Sequence, residues 1–146
     1  MQVYHDQDAL HRAVNDIRTF KGEVAGLLKA AGGQPGSASL TAEGNSLVQR
    51  ASQIEAVLMQ ASIKGSEANL NYPGMLNEQI YSFAGLLNDA DTAPNTPEVQ
   101  TYAGLHARLE AQLAEWAKLK KTGIAGFCSR VQAAGQSGTA LSSCQQ

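Results

Sequence analysis

Large apolar residues recur at alternating steps of three and four along most of this chain, and that spacing constrains its fold more than any other feature. An α-helix turns once every 3.6 residues, so the alternation places the apolar side chains on one stripe of each helix. The first stripe runs from Leu10 through Val14 to Ala31. We predict a first helix over residues 6–31, with Asp6 as its cap or in its first turn.

Three further stripes with the same spacing cover residues 40–61, 76–90 and 102–119. Stretches rich in glycine, serine, asparagine or proline separate the stripes and favour turns. Apolar residues continue as far as Val131, so the last helix is expected to extend past a weak point at Thr122-Gly123.

The composition also favours helices. The chain contains 23 alanines and 15 leucines against 12 valines and isoleucines, a bias toward strong helix formers. Amphipathic helices joined by short breaks can bury their stripes only against each other, so we predict an all-α fold, an antiparallel up-and-down four-helix bundle. The predicted core is Leu10, Val14, Ile17, Val24, Leu47, Ile54, Leu58, Leu76, Ile80, Phe83, Leu87, Leu109, Leu113 and Trp116.

A length of 146 residues is close to the size of one domain. We assign residues 1–133 to the helical bundle. Residues 134–146 are mostly alanine, serine, glycine and glutamine, with Leu141 as their one large apolar residue. Because so little apolar surface cannot offset the entropy lost on ordering, we expect this segment to be a polar, flexible tail.

The charge balance and the lengths of the apolar runs argue against two classes of partner, nucleic acids and membranes. Lysine and arginine total 11 against 13 acidic residues, which gives a net charge of -2 and no basic surface for a phosphate backbone. No apolar run approaches the roughly 20 residues that cross a bilayer. We therefore predict neither nucleic-acid binding nor membrane insertion.

The residue patterns that carry catalysis or cofactor binding do not occur in the sequence. His5, His11 and His106 lack the helical spacing of paired metal ligands, and His106 is interpreted as a surface or boundary residue. No nucleophile motif, dinucleotide fingerprint or phosphate-binding loop is present. The lysines of residues 118–121 are assigned to the negative end of a helix rather than to an anion site. We expect no enzymatic activity, no cofactor and no metal.

Two proline-containing segments predict helix starts. Proline fixes φ and lacks an N–H, which suits a first helical turn. Pro73 is expected there in the third helix, and Thr96 is expected to cap the fourth helix with Pro97 as its first residue. The structural residues predicted at these two starts are Asn71, Tyr72, Pro73, Asn77, Thr96 and Pro97.

Cys128 and Cys144 are the two cysteines of the chain. An oxidising compartment would permit a disulfide between them, whereas the cytosol would keep two thiols. A bridge would attach the tail to the last helix. Without it, Cys128 would be a buried free thiol and Cys144 part of the flexible tail, and the residues alone leave both readings open.

One longer pattern covers most of the chain. Leu70-Asn71-Tyr72-Pro73 is followed by Leu76-Asn77, by Phe83-Ala84-Gly85 and then by Leu109-Glu110-Ala111-Gln112-Leu113. Over residues 11–131 the sequence resembles the C-terminal helical region of large bacterial proteins with BNR or sortilin-type β-propeller repeats, which are glycosyl-hydrolase-like. It departs from the family at Gly74-Met75, where basic or branched residues are usual, and at Glu78-Gln79, where the family has Asn-Lys.

The resemblance implies a setting rather than a chemistry. It implies that this segment is the C-terminal part of a larger propeller-containing protein exported to the periplasm or the cell surface. The first residues lack the pattern of a signal peptide, so we expect export to be directed by another segment. Export would in turn favour a bridge between Cys128 and Cys144.

We therefore expect a non-enzymatic interaction or scaffolding domain, whose partner is its own propeller or another protein of an assembly. The alternative is an accessory domain of a glycoside hydrolase-like enzyme that contacts substrate. Exposed flat rings would favour the alternative. The chain has one tryptophan, four tyrosines and three phenylalanines, and most of them lie on predicted core stripes.

Overall fold

The computed structural model describes residues 2–32, 37–61, 72–89, 93–135 and 141–144. The α-helices in these ranges are α1 (Gln2–Ala31), α2 (Ser37–Leu58), α3 (Leu76–Asp89), α4 (Thr96–Lys118) and α5 (Ala125–Ala133). A π-helical segment, Leu119–Ile124, joins α4 to α5, and Ser142–Cys144 form a 3-10 turn. The described residues contain no strand, so the predicted all-α bundle is confirmed. Its antiparallel up-and-down order stays a prediction.

None of the described helices has an apolar stretch long enough to cross a bilayer.

The start of α3 lies later than predicted. The backbone N–H of Met75 donates to Glu78 Oε2 at 2.8 Å, which satisfies a donor at the helix entrance. The helix begins at Leu76, so Pro73 precedes its first turn instead of occupying it. The start of α1 differs in the other direction, since it lies at Gln2 rather than at residue 6.

The cap of α4 is Asn95. Its Oδ1 accepts the N–H of Glu98 at 3.0 Å, and Glu98 Oε2 accepts the N–H of Asn95 at 2.9 Å. This reciprocal pair is a capping box, and asparagine is at least as good a cap as threonine. Thr96 and Pro97 are the first two helical residues, so the expected cap at Thr96 is wrong.

The chain forms two compact units. Unit 1 comprises Met1–Val14 and Ile54–Ala114, and unit 2 comprises Asn15–Gln53 and Glu115–Gln146. The helices α1, α2 and α4 each contribute residues to both units. The boundary predicted between residues 133 and 134 coincides with the end of α5 and stays a prediction.

Each unit has its own apolar core. In unit 1 the buried side chains include Val3, Leu10, Val14, Ile54, Leu58, Leu76, Ile80, Phe83 and Leu109. In unit 2 they include Ile17, Phe20, Val24, Leu27, Leu47, Trp116, Leu119, Ile124, Phe127 and Val131. Every predicted core residue is buried except Leu87 and Leu113, which are half-buried. The spacing of apolar residues did not predict Phe20 and Leu27 as core residues, because Lys21 and Leu28 fit the same alternation of three and four.

The π-helical segment keeps the apolar stripe of unit 2 continuous. Leu119 and Ile124 are both buried although they are five positions apart. The N–H of Ala125 bonds to the carbonyl oxygen of Lys120, which is the i→i+5 bond of a π turn. This wider turn returns the fifth residue to the same side of the helix. The predicted weak point at Thr122-Gly123 is therefore crossed without a break.

Gly44 lets α1, α2 and α5 approach closely within unit 2. A Cβ at this position would lie 3.2 Å from Val24 Cγ1 and 3.3 Å from both Leu28 Cδ1 and Phe127 Cζ. A methyl group there would require all three neighbours to move.

The described residues of the C-terminal segment are attached to unit 2. Cys144 forms a disulfide with Cys128 of α5, and their Cα atoms are 5.8 Å apart. Leu141 is 1% exposed, and the N–H of Ser142 donates to Glu23 Oε1 at 3.0 Å. A flexible tail was expected here, yet one large apolar side chain and a covalent bond hold residues 141–144 in place.

We predict that Gly44→Ala destabilises the protein by about 1 kcal/mol. The gain in helix propensity of roughly 1 kcal/mol is outweighed by an overpacking cost of about 1–3 kcal/mol. Gly85→Ala is the matched control, because a Cβ at this exposed helical position would meet nothing within 4 Å. Chemical denaturation should show Gly85→Ala at or above wild-type stability, and equal stability of the two variants would contradict the close approach.

We also predict that Cys144→Ser lowers the stability of the oxidised protein by about 3 kcal/mol, because the bridge restricts a loop of this length in the unfolded chain. Denaturation with and without a reductant measures the effect. The difference between variant and wild type should disappear in the reductant, and a difference of the same size under both conditions would assign it to the serine side chain instead.

Candidate functional site

Unit 1 buries a carboxylate on the apolar stripe of α1. Asp6 lies between Val3 and Leu10 at helical spacing and is 3% exposed. Asp6 and Glu55 are the charged residues that the described part of the chain buries, and both belong to unit 1. An ionised carboxylate in such a place requires hydrogen-bond partners. Asp6 was expected in a cap or first turn, and that expectation is wrong.

The partners of Asp6 come from α1 and α4. Tyr102 Oη donates to Oδ2 at 2.7 Å, and His106 Nδ1 lies 2.8 Å from the same oxygen. Gln2 Nε2 donates to Oδ1 at 3.1 Å. Tyr102 and His106 are four positions apart, so they lie on one face of α4. We call these four residues the Asp6 network.

The hydrogen bonds of the Asp6 network shift the pKa values of Asp6 and Tyr102 in opposite directions. Burial alone would raise the pKa of Asp6, but the hydrogen bonds from Tyr102, His106 and Gln2 together lower it below its ordinary value. Burial and the bond to the carboxylate raise the pKa of Tyr102 well above that of a free phenol. Asp6 is thus an acceptor only, so His106 carries a proton on Nδ1.

A carboxylate bonded to Nδ1 of a histidine is also the arrangement that orients a catalytic base. Such a base needs a hydroxyl, thiol or water to act on. Among the described residues, the ring of His106 contacts Asp6 and lies 6.1 Å from the ring of Tyr102. Tyr102 in turn stacks on Phe83 at 5.7 Å. These contacts give the network a role in joining α1 to α4 within unit 1.

The sequence contained a signal for this network. Counting back from Leu10 in the alternation of four and three reaches Asp6 and then Val3, so the carboxylate continues the stripe. His106, interpreted as a surface or boundary residue, has a side chain that is 38% exposed. Because His106 and Asp6 are far apart in the sequence, no local pattern predicts their contact.

The residues predicted at the start of the third helix contact different partners. Asn71 lies outside the described residues. Tyr72 is exposed, and the carbonyl oxygen of Pro73 accepts a bond from Gln60 Nε2 at 3.2 Å. Asn77 Oδ1 lies 2.8 Å from His11 Nε2 and so connects α3 to α1.

Unit 1 also carries all the large apolar side chains that are exposed in the described part of the chain. They are Tyr4, Tyr72, Tyr81, Leu86 and Val99, and we call them the exposed apolar set. Tyr81 is 71% exposed. Tyr4 is held by Asn88 of α3, whose Nδ2 donates to its hydroxyl at 2.7 Å. Unit 2 has no residue of this kind among those described.

We predict that Asp6→Asn destabilises the protein by about 2 kcal/mol at neutral pH, because an amide NH₂ would face donors that now bond to a carboxylate. The pKa of Asp6 is lowered on folding, so its stabilising effect is present above the ordinary carboxyl pKa of about 4. That effect is lost as the pH falls through the lowered value.

Thermal unfolding from pH 7 to pH 2 tests this expectation. The gap between wild type and Asp6→Asn should narrow as the pH falls below about 4. Asp8→Asn is the control, since Asp8 lies exposed on the same helix. If both variants behave alike at every pH, the Asp6 network does not stabilise the fold.

Comparison with known proteins gives no family assignment. No family model, curated protein or solved structure matches the chain. None of these comparisons links the chain to propeller proteins, so what the resemblance implies is stated below only as a proposal.

Proposed function

We propose that the chain is a non-enzymatic helical interaction or scaffolding domain, the C-terminal part of a larger propeller-containing exported protein. The observation that carries this proposal is the exposed apolar set, which lies entirely in unit 1. Because all five exposed side chains belong to unit 1, that unit is favoured over the described part of unit 2 as the one that meets a partner. The partner is the protein's own propeller or another protein of an assembly.

The composition of the exposed apolar set supports a protein partner. Three of its five members are tyrosines, and tyrosine is enriched at interfaces because its ring buries a large area while its hydroxyl finds a polar partner. Tyr4 already has its hydroxyl bonded to Asn88, so its ring loses little freedom on binding.

The bonds of the polar side chains support a role without catalysis. The Asp6 carboxylate accepts three hydrogen bonds from side chains of the same unit. Asn77 bonds His11, and Arg108 Nη1 donates to Gln79 Oε1 at 2.8 Å. These groups connect one helix to another.

The exposed tyrosines also favour a second candidate, an accessory domain of a glycoside hydrolase-like enzyme that contacts substrate. Tyr72 is 44% exposed and Tyr81 is 71% exposed, and flat rings of this kind can stack on sugars. They contrast with Trp116, Phe20, Phe83 and Phe127, which are buried.

Export rests on the resemblance and is supported by the disulfide between Cys128 and Cys144. Structural disulfides persist mainly in oxidising compartments such as the periplasm or the extracellular space. We therefore propose that the protein works in one of these compartments.

We predict that photo-reactive amino acids at positions 81 and 86 cross-link to the propeller or to an assembly partner in the natural full-length protein. Positions 42 and 49 are controls, because Ala42 and Gln49 are exposed on α2 in unit 2. Equal cross-linking from both pairs would contradict the interaction surface.

A glycan titration separates the two candidates. Soluble oligosaccharides that shift the NMR signals of Tyr72 and Tyr81, with half-buried Tyr102 as an internal reference, would favour the accessory domain. Unchanged tyrosine signals together with cross-links to protein would favour the scaffold.

A further inference from the structure

An open groove with a volume of about 560 Å³ lies in unit 2 beside the disulfide. Lys120 and Lys121 line it from the π-helical segment, and Ser129 and Gln132 line it from α5. Cys144 contributes from the C-terminal segment. Small-molecule sites typically have volumes of about 300–1,000 Å³, so the groove has the size of a ligand site.

The π-helical segment brings two consecutive lysines to this groove. Successive residues of an α-helix point in well separated directions, but the turn here is wider, as the bond from Ala125 to Lys120 shows. Both Lys120 and Lys121 line the groove. Single π turns within α-helices occur frequently at functional sites.

The charges around the groove leave one ammonium group uncompensated. Lys118 Nζ lies 4.0 Å from Glu115 Oε1, and Lys120 Nζ lies 3.7 Å from Asp16 Oδ2. Lys121 is exposed and has no charged partner among the described residues. Because the whole chain carries a net charge of -2, this positive charge is a local feature.

Two polar side chains of α5 also line the groove. Ser129 Oγ donates to the carbonyl oxygen of Ala125 at 3.1 Å, so its lone pairs are the part that can accept a further bond. The amide of Gln132 can both donate and accept. A ligand here would need an anionic group at one end and a hydroxyl or amide at the other.

We propose that the groove binds a small phosphate-bearing molecule. Its phosphate would bond the ammonium group of Lys121 and draw that of Lys120 away from its pair with Asp16, and its polar remainder would reach Ser129 and Gln132. Phosphate is favoured over carboxylate because it carries a charge of about -1.5 to -2 and three strong acceptor oxygens, which suit two neighbouring ammonium groups. Charge-assisted bonds of this kind are about twice as strong as neutral ones.

Trp116 supplies a direct readout of binding. It is the one tryptophan of the chain, and Lys120 Nζ lies 5.7 Å from the centre of its ring. An anion that draws Lys120 toward the groove would change the field at the indole and therefore its fluorescence. Inorganic pyrophosphate is the probe, titrated at constant ionic strength against chloride.

We expect pyrophosphate to change the Trp116 fluorescence with a Kd below about 1 mM. Lys121→Gln should raise this Kd about tenfold, because one charge-assisted bond is lost. Lys118→Gln is the matched control, since it removes the same charge three residues away and does not line the groove. Circular dichroism verifies that both variants fold.

Three results would overturn the proposal. They are no saturable change in the wild type, an equal loss in Lys118→Gln and Lys121→Gln, and tighter binding of citrate than of pyrophosphate. The second would show attraction by net charge alone, and the third would show a carboxylate site. None of these results bears on the exposed apolar set of unit 1, so the interaction role is tested separately.

Discussion

Both units depend on the burial of one apolar stripe per helix. An amphipathic helix can remove its stripe from water only against another helix, so each unit takes buried residues from several helices at once. The same constraint explains why a polar residue on an apolar stripe needs hydrogen-bond partners. Asp6 continues the stripe of α1, and its charge is tolerated there because Tyr102, His106 and Gln2 all bond to its carboxylate.

The helical fold followed from the sequence because periodicity is a local property. Alternating steps of three and four located the helices and nearly all of the predicted core. The start of α4 was placed one residue late, because Asn95 and Thr96 are adjacent candidates and only side-chain geometry separates them. The step of five between Leu119 and Ile124 could be read in the sequence, but the π turn that absorbs it could not.

The candidate sites were less predictable because they join residues far apart in the chain. Asp6 meets His106 across 100 positions, and no local pattern records that contact. Cys128 and Cys144 were left open between a bridge and two thiols, since pairing depends on geometry that spacing does not fix. Exposure of Tyr81 likewise depends on which face of α3 is buried.

We propose above that the exposed tyrosines of unit 1 form an interaction surface. Oxidative footprinting of tyrosine rings, read by mass spectrometry, tests it by comparing the isolated chain with the natural full-length protein purified from its own cells. If the surface is used, Tyr72 and Tyr81 are labelled in the isolated chain and protected in the full-length protein, while half-buried Tyr102 changes little. Equal labelling of Tyr81 in both samples would contradict it.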